Sequence, residues 1–190
     1  MRLALADRYG GKRGFARTVA QGLLARLGMF APYTNLQPAP VTRAVFVCHG
    51  NICRSPYAEF RMRSRGGRAV SAGLAADPGK PANPIAHRVA DRRGITLAAH
   101  ASKRLVDLPL QPGDLLLAFE PFHLSSLRAA AARHHGLQVT LLGLWSTTPW
   151  RVHVQDPFGL SETYFETCFA LIDDGVDGLL RTFPNLLATA

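Results

Sequence analysis

The chain has 190 residues, 47% of them hydrophobic and 18% charged, which is enough for one domain with a buried core and too apolar for a disordered chain. Its longest plainly apolar strip, Leu115 to Phe119, is bounded by Asp114 and Glu120 and falls far short of the ~20 residues that a membrane-spanning helix needs. Three cysteines, at 48, 53 and 168, are an odd number and no apolar leader core follows Met1. Both features point to a reducing, cytoplasmic setting. The net charge of +9 is uneven: +5 over residues 1–40, +9 over residues 41–104 and −5 over residues 105–190. A basic half attracts anions, whether phosphate, nucleic acid or an acidic membrane surface, and composition does not choose among them.

Residues 1–40 read as a basic N-terminal extension. Phe15, Val19, Leu23, Leu24 and Leu27 fall within one half of a helical wheel, with Arg17 and Gln21 opposite and Arg26 intruding, and Pro32, Pro38 and Pro40 supply a stiff connector. Such a stripe either packs on its own domain or meets a membrane surface or partner; Met29 offers an alternative start. From Arg43 onward, short apolar runs alternate with helical patterns, the signature of strand-helix units around a parallel sheet. The expected strands are 44–48, 68–71, 114–119 and 138–142, nearly continuous in apolar character as strands buried on both faces should be. The expected helices are 55–65, 83–93, 121–134 and 161–181, the last with an apolar stripe that includes Cys168. Residues 41–190 are therefore expected to form an α/β fold, a three-layer doubly wound domain with a four-stranded parallel sheet and a site at the carboxyl end of its first strand.

The informative stretch is Cys48-His49-Gly50-Asn51-Ile52-Cys53-Arg54-Ser55-Pro56, where an apolar strand runs through a glycine-containing loop into a helix. Loop N–H groups and the positive helix end favour an oxyanion there, and Pro56 sits in the first turn, where its missing N–H costs nothing. Cys48 and Arg54 are six residues apart, so the loop can wrap a tetrahedral anion between thiol and guanidinium. The amides, the helix dipole and Arg54 favour the nucleophilic thiolate, and Ser55 can hydrogen-bond the sulfur. Arg54 offers two phosphoryl oxygens a planar fork that lysine cannot imitate. Gly50 and Asn51 tolerate unusual backbone angles. Cys53 shares the loop and is placed to close a disulfide with Cys48 on oxidation.

These residues resemble the phosphate-binding loop of the low-molecular-weight protein tyrosine phosphatases, and Asp156-Pro157-Phe158-Gly159 is similar to that family's acid loop. Ser71-Ala72-Gly73, His100 in Leu97-Ala98-Ala99-His100 and the run Leu141–Trp145 also match, over about residues 43–182. The resemblance implies hydrolysis of protein phosphotyrosine through a phosphocysteine, without cofactor or metal. In it Cys48, Arg54 and Asp156 are catalytic, with Asp156 protonating the leaving phenolate and then activating water. His49, Gly50, Asn51, Ile52, Cys53, Ser55 and Phe158 bind substrate, and Ser71 and His100 support the loop, Ser71 through Asn51. Phe158 and Ile52 would wall a slot deep enough for phosphotyrosine and too deep for phosphoserine. Glu120 carries no role beyond pocket shape.

Val139–Trp145 is similar to the bacterial branch whose members oppose tyrosine kinases of exopolysaccharide export, so the implied partner is a phosphotyrosine protein, such a kinase included. Arsenate reduction on the same loop is disfavoured because no cysteine lies between Cys53 and Cys168 to take over the oxidation. A phosphoarginine phosphatase is a second alternative, in which the resemblance implies threonine at the place of Ile52, so Ile52 argues for phosphotyrosine. A non-catalytic anion-binding module is the remaining alternative. No nucleic acid is expected, since Arg61, Arg63, Arg65 and Arg68 have no aromatic residue between them.

Overall fold

The computed structural model describes residues 4–37, 40–148 and 151–188. In chain order the elements are α1 Leu5–Tyr9, α2 Lys12–Arg26, β1 Arg43–Cys48, α3 Arg54–Ser64, β2 Ala69–Gly73, α4 Pro84–Arg92, β3 Asp114–Ala118, α5 Leu124–Ala131, β4 Gln138–Leu141 and α6 Glu162–Thr182. The four strands form one parallel sheet in the order β2-β1-β3-β4. Strand neighbours therefore depart in opposite directions from β1, and the crevice at its carboxyl end is the topological switch point where such sheets bind ligands.

Alternation along β1 divides the core. Ala44, Phe46 and Cys48 face a layer built from α3, α4 and α6, through Tyr57, Met62, Val89, Phe165, Phe169 and Val176. Val45 and Val47 face the other layer, with Leu124 and Leu127 of α5. Helices on both faces explain why the strands read as continuous apolar runs. Asn83 caps α4 by accepting from the Ile85 and Ala86 N–H groups, and the Ser161 hydroxyl accepts from Tyr164 N–H at the start of α6. The helix expected over 121–134 is shorter: a 3-10 turn, Pro121–His123, leads into α5, which stops at Ala131. Residues 132–136 are exposed, so no buried contact holds a further turn.

The arginines of the basic half are matched in space by the acidic last third. Arg61 pairs with Asp173, Arg65 with Asp177, and Arg88 and Arg92 with Glu162, while Arg63 pairs with Glu59. Charge segregated along the chain is interleaved across the α3, α4 and α6 surface.

The extension packs by a face that the wheel did not single out. In α2 the buried residues are Gly14, Thr18 and Gly22, whereas Phe15, Val19, Leu23 and Leu27 stand outward at 40%, 51%, 58% and 68% exposure. Small residues win this contest because they admit close backbone approach: a Cβ on Gly14 would lie 1.8 Å from the Tyr9 carbonyl oxygen. Beyond α2, Phe30 is buried with the α5-side core, Pro32 lies in a 3-10 turn, Ala31–Tyr33, and Gln37 and Gln138 exchange two hydrogen bonds of 2.8 Å along β4. Pro38 lies outside the described residues.

Candidate active site

The loop that follows β1 is a cradle held from outside. Asn51 is its hub, wholly buried and in the left-handed region at φ 53°, the only non-glycine residue among those described with positive φ. Asparagine tolerates that geometry at small cost. Its amide nitrogen donates to Ser55 Oγ at 2.8 Å and Ser71 Oγ at 2.9 Å. Its side-chain oxygen accepts from Lys103 N–H at 2.8 Å, and its carbonyl lies 2.7 Å from His100 Nε2. A carbonyl only accepts, so His100 carries a proton on Nε2; burial lowers the pKa of this imidazole. Ser71 in turn donates to Glu59 at 2.6 Å. The unusual backbone angle expected at both Gly50 and Asn51 falls on Asn51 alone. Glycine is instead required at Gly73, where a Cβ would meet the His49 carbonyl oxygen at 2.7 Å and Asn51 N at 3.0 Å.

Cys48 Sγ lies 3.0 Å from Ser55 Oγ, at the mouth of the loop that runs into α3. Arg54, fully buried, is held by an ion pair with Glu120 at 2.7 Å, a hydrogen bond from Nη1 to the Val154 carbonyl at 2.9 Å and the Phe119 ring face. Its Nη2 meets Asp156 Oδ2 at 2.8 Å. Burial alone would lower this guanidinium's pKa, but Asp156 and Glu120 outweigh it and raise the value. Arg54 Nε is buried with no hydrogen-bond partner among the described residues, a donor of the kind that a phosphoryl oxygen satisfies. Asp156 is partly exposed, with a side-chain accessibility of 34%, and Oδ1 accepts from Phe158 N–H at 3.2 Å. The arrangement thus offers a thiol, an anion cradle and a carboxyl group along one short path, as nucleophilic displacement at phosphorus with proton transfer to a leaving oxygen requires.

Residues 43–187 match the sequence profile of the low molecular weight phosphotyrosine protein phosphatases. The chain belongs to this family. It is 33% identical over 129 residues to the low molecular weight protein-tyrosine-phosphatase Etp of Escherichia coli K12, covering 67% of this chain and 84% of that relative. Among solved structures it is similar to the Erwinia amylovora tyrosine phosphatase amsI, with TM-score 0.66, 27% identity and coverage of 78% of this chain and 97% of the other. It is also similar to the YwlE arginine phosphatase of Geobacillus stearothermophilus, with TM-score 0.62, 26% identity and coverage of 74% and 91%.

The phosphatase cavity is lined by Cys48, His49, Gly50, Ile52, Cys53, Asp156 and Phe158. Phe158 stands 62% exposed at its rim, Ile52 is half-buried and His49 exposed beside Cys48. Cys53 is buried, and burial pushes its thiol pKa up. Cys168 is buried in the α3-side core with a thiol raised for the same reason. Every residue expected at the site or in support of its loop falls in or directly behind this cavity. Glu120 exceeds its expected role: its carboxylate is the ion-pair partner of Arg54 and lies 3.6 Å from His153 Nε2. Sequence held one signal for it, an acid placed directly after a buried apolar strand.

Proposed function

We propose that in this phosphotyrosine phosphatase Cys48 is the nucleophile, that Arg54 and the loop N–H groups hold the phosphoryl oxygens, and that Asp156 is the acid and then the base. The observation that carries this reading is the 2.8 Å approach to Arg54 Nη2 of Asp156, which lines the same cavity as Cys48. Attack by Cys48 Sγ on phosphorus expels the tyrosyl oxygen, which takes the Asp156 proton; the resulting carboxylate then removes a proton from the water that splits the phosphocysteine, and Cys48 is restored. Ser55 stabilises the thiolate by donating to it, and Asn51, tied by Ser71 and His100, keeps the loop N–H groups converged. Cys48→Ser is expected to abolish turnover and Asp156→Asn to lower kcat about 10²- to 10³-fold. Retained turnover in Cys48→Ser contradicts the assignment.

Phosphotyrosine, rather than phosphoarginine, is the substrate favoured by the apolar Ile52 and Phe158 at the rim, which suit a flat aryl group. Pairing of Arg61, Arg65, Arg88 and Arg92 with carboxylates of α6 favours an enzyme over an anion-binding module. Residues 41–190 act as the phosphatase domain and residues 1–40 as an addition to it. The working partner is a phosphotyrosine protein in the cytoplasm, such as a bacterial tyrosine kinase of exopolysaccharide export. The outward apolar stripe of α2, flanked by Lys12, Arg13, Arg17 and Arg26, supports contact with an anionic membrane surface.

A further inference from the structure

We propose that the N-terminal extension is a brace for the acid loop, and that Tyr9, Gly10 and Gly14 are positioning residues for Asp156. This inference rests on Asp156 being the acid. The contacts converge on residues 151–167, on both sides of Asp156. Ahead of it, Arg151, buried at 9% exposure, places its guanidinium 4.9 Å from the Tyr9 ring centroid and donates to the Arg8 carbonyl at 2.7 Å. Tyr9 is in turn wedged edge-on by Phe15 of α2, centroids 5.1 Å apart. Behind Asp156, the Ser161 hydroxyl donates to the Asp7 carboxylate at 2.9 Å, and Thr167 Oγ1 donates to the Asp7 carbonyl at 2.7 Å.

The decisive contact is at Gln155, the residue before Asp156. Gly10, left-handed at φ 72°, brings its backbone so near that a Cβ would lie 2.9 Å from both Gln155 Cγ and Leu160 Cδ1. A Cβ on Gly14 would lie 3.3 Å from the same Gln155 Cγ. On its other side Gln155 offers its carbonyl to Tyr164 Oη at 3.3 Å. The stem of the acid loop is therefore clasped between the α1–α2 corner and α6. Proton transfer demands close placement, and displacement of a catalytic group by about 1 Å can cost about 10²-fold in rate. The family profile begins at residue 43, so the clasp comes from chain outside the shared fold.

The test uses full-length protein and kcat/KM for two aryl phosphates, one with a good leaving group (p-nitrophenyl phosphate) and one with a poor leaving group (phenyl phosphate). Loss of acid assistance penalises the poor leaving group selectively, and a general loss of fold does not. Tyr9→Ala and Gly14→Val are expected to lower kcat/KM about tenfold more for phenyl phosphate than for p-nitrophenyl phosphate, with competitive inhibition by inorganic phosphate unchanged. Tyr9→Phe, which keeps the ring against Arg151, is expected to retain the wild-type ratio, and Asp156→Asn to shift it further in the same direction. A shift in Asp156→Asn with none in Tyr9→Ala and Gly14→Val overturns the brace alone. No shift in Asp156→Asn overturns the acid assignment, and the brace with it.

Discussion

Arg54 carries two jobs that compete for one guanidinium. Nη1 is committed to Glu120 and the Val154 carbonyl, which fixes the plane of the fork, while Nη2 meets Asp156, a residue of the cavity wall, and Nε is left without a hydrogen-bond partner among the described residues. Glu120 thus aims Arg54 before any substrate arrives, and a buried cation with that carboxylate removed is poorly compensated. Glu120→Gln is expected to destabilise the fold by roughly 3 kcal/mol, read as a lower urea midpoint, and to weaken competitive inhibition by inorganic phosphate. An unchanged midpoint contradicts this role. Sequence placed Cys48 and Arg54 because their chemistry is specific and they stand six residues apart, whereas Asp156, 108 residues after Cys48, was placed only by its resemblance to the family's acid loop. It did not assign Glu120 a partner, since a buried ion pair joining residues 66 positions apart leaves no local pattern.

At the scale of elements, the strands were legible as short continuous apolar runs and α6 as an apolar stripe at helical spacing. The N-terminal helix is legible as a helix, but the sequence leaves open whether its apolar stripe packs inward, and the face that does pack is not legible: a run of Gly14, Thr18 and Gly22 has little hydrophobicity, and what seats it is backbone proximity rather than apolar area. The bulky stripe is left outward among cations, and between Arg8 and Ala58 the chain has no acidic residue. The proposed membrane contact would combine attraction to anionic headgroups with shallow insertion of this stripe. The protein is expected to co-sediment with vesicles containing phosphatidylglycerol and not with pure phosphatidylcholine, with binding reduced in a Leu23→Asp, Leu27→Asp double variant. Equal sedimentation of variant and wild type contradicts the contact.

For the whole molecule, three imidazoles are buried close to the site at 8% exposure or less, His100, His123 and His153, and burial lowers the pKa of each. His123 is pushed down to about 4. A group whose folded pKa lies below its unfolded value contributes stability above the unfolded pKa and loses it as pH falls through the folded one. Stability is therefore expected to fall between about pH 6.5 and pH 4, with His123 contributing at most roughly 3 kcal/mol from about 1.4 kcal/mol per pKa unit. Urea unfolding across that range checks it: His123→Asn should flatten the decline, and an equally steep decline in the variant contradicts the assignment. None of this was visible in the sequence, because a histidine's charge state depends on burial that only the assembled layers create.

The claim on which the rest depends is that one cavity, built from Cys48, Arg54 and Asp156, hydrolyses phosphotyrosine. It is tested most directly by phosphate release from matched phosphotyrosine, phosphoserine and phosphoarginine peptides, with chelator present, for wild type and Cys48→Ser. Selective turnover of the phosphotyrosine peptide, lost in Cys48→Ser, is the expected result. Preference for phosphoarginine, or turnover that survives Cys48→Ser, contradicts it.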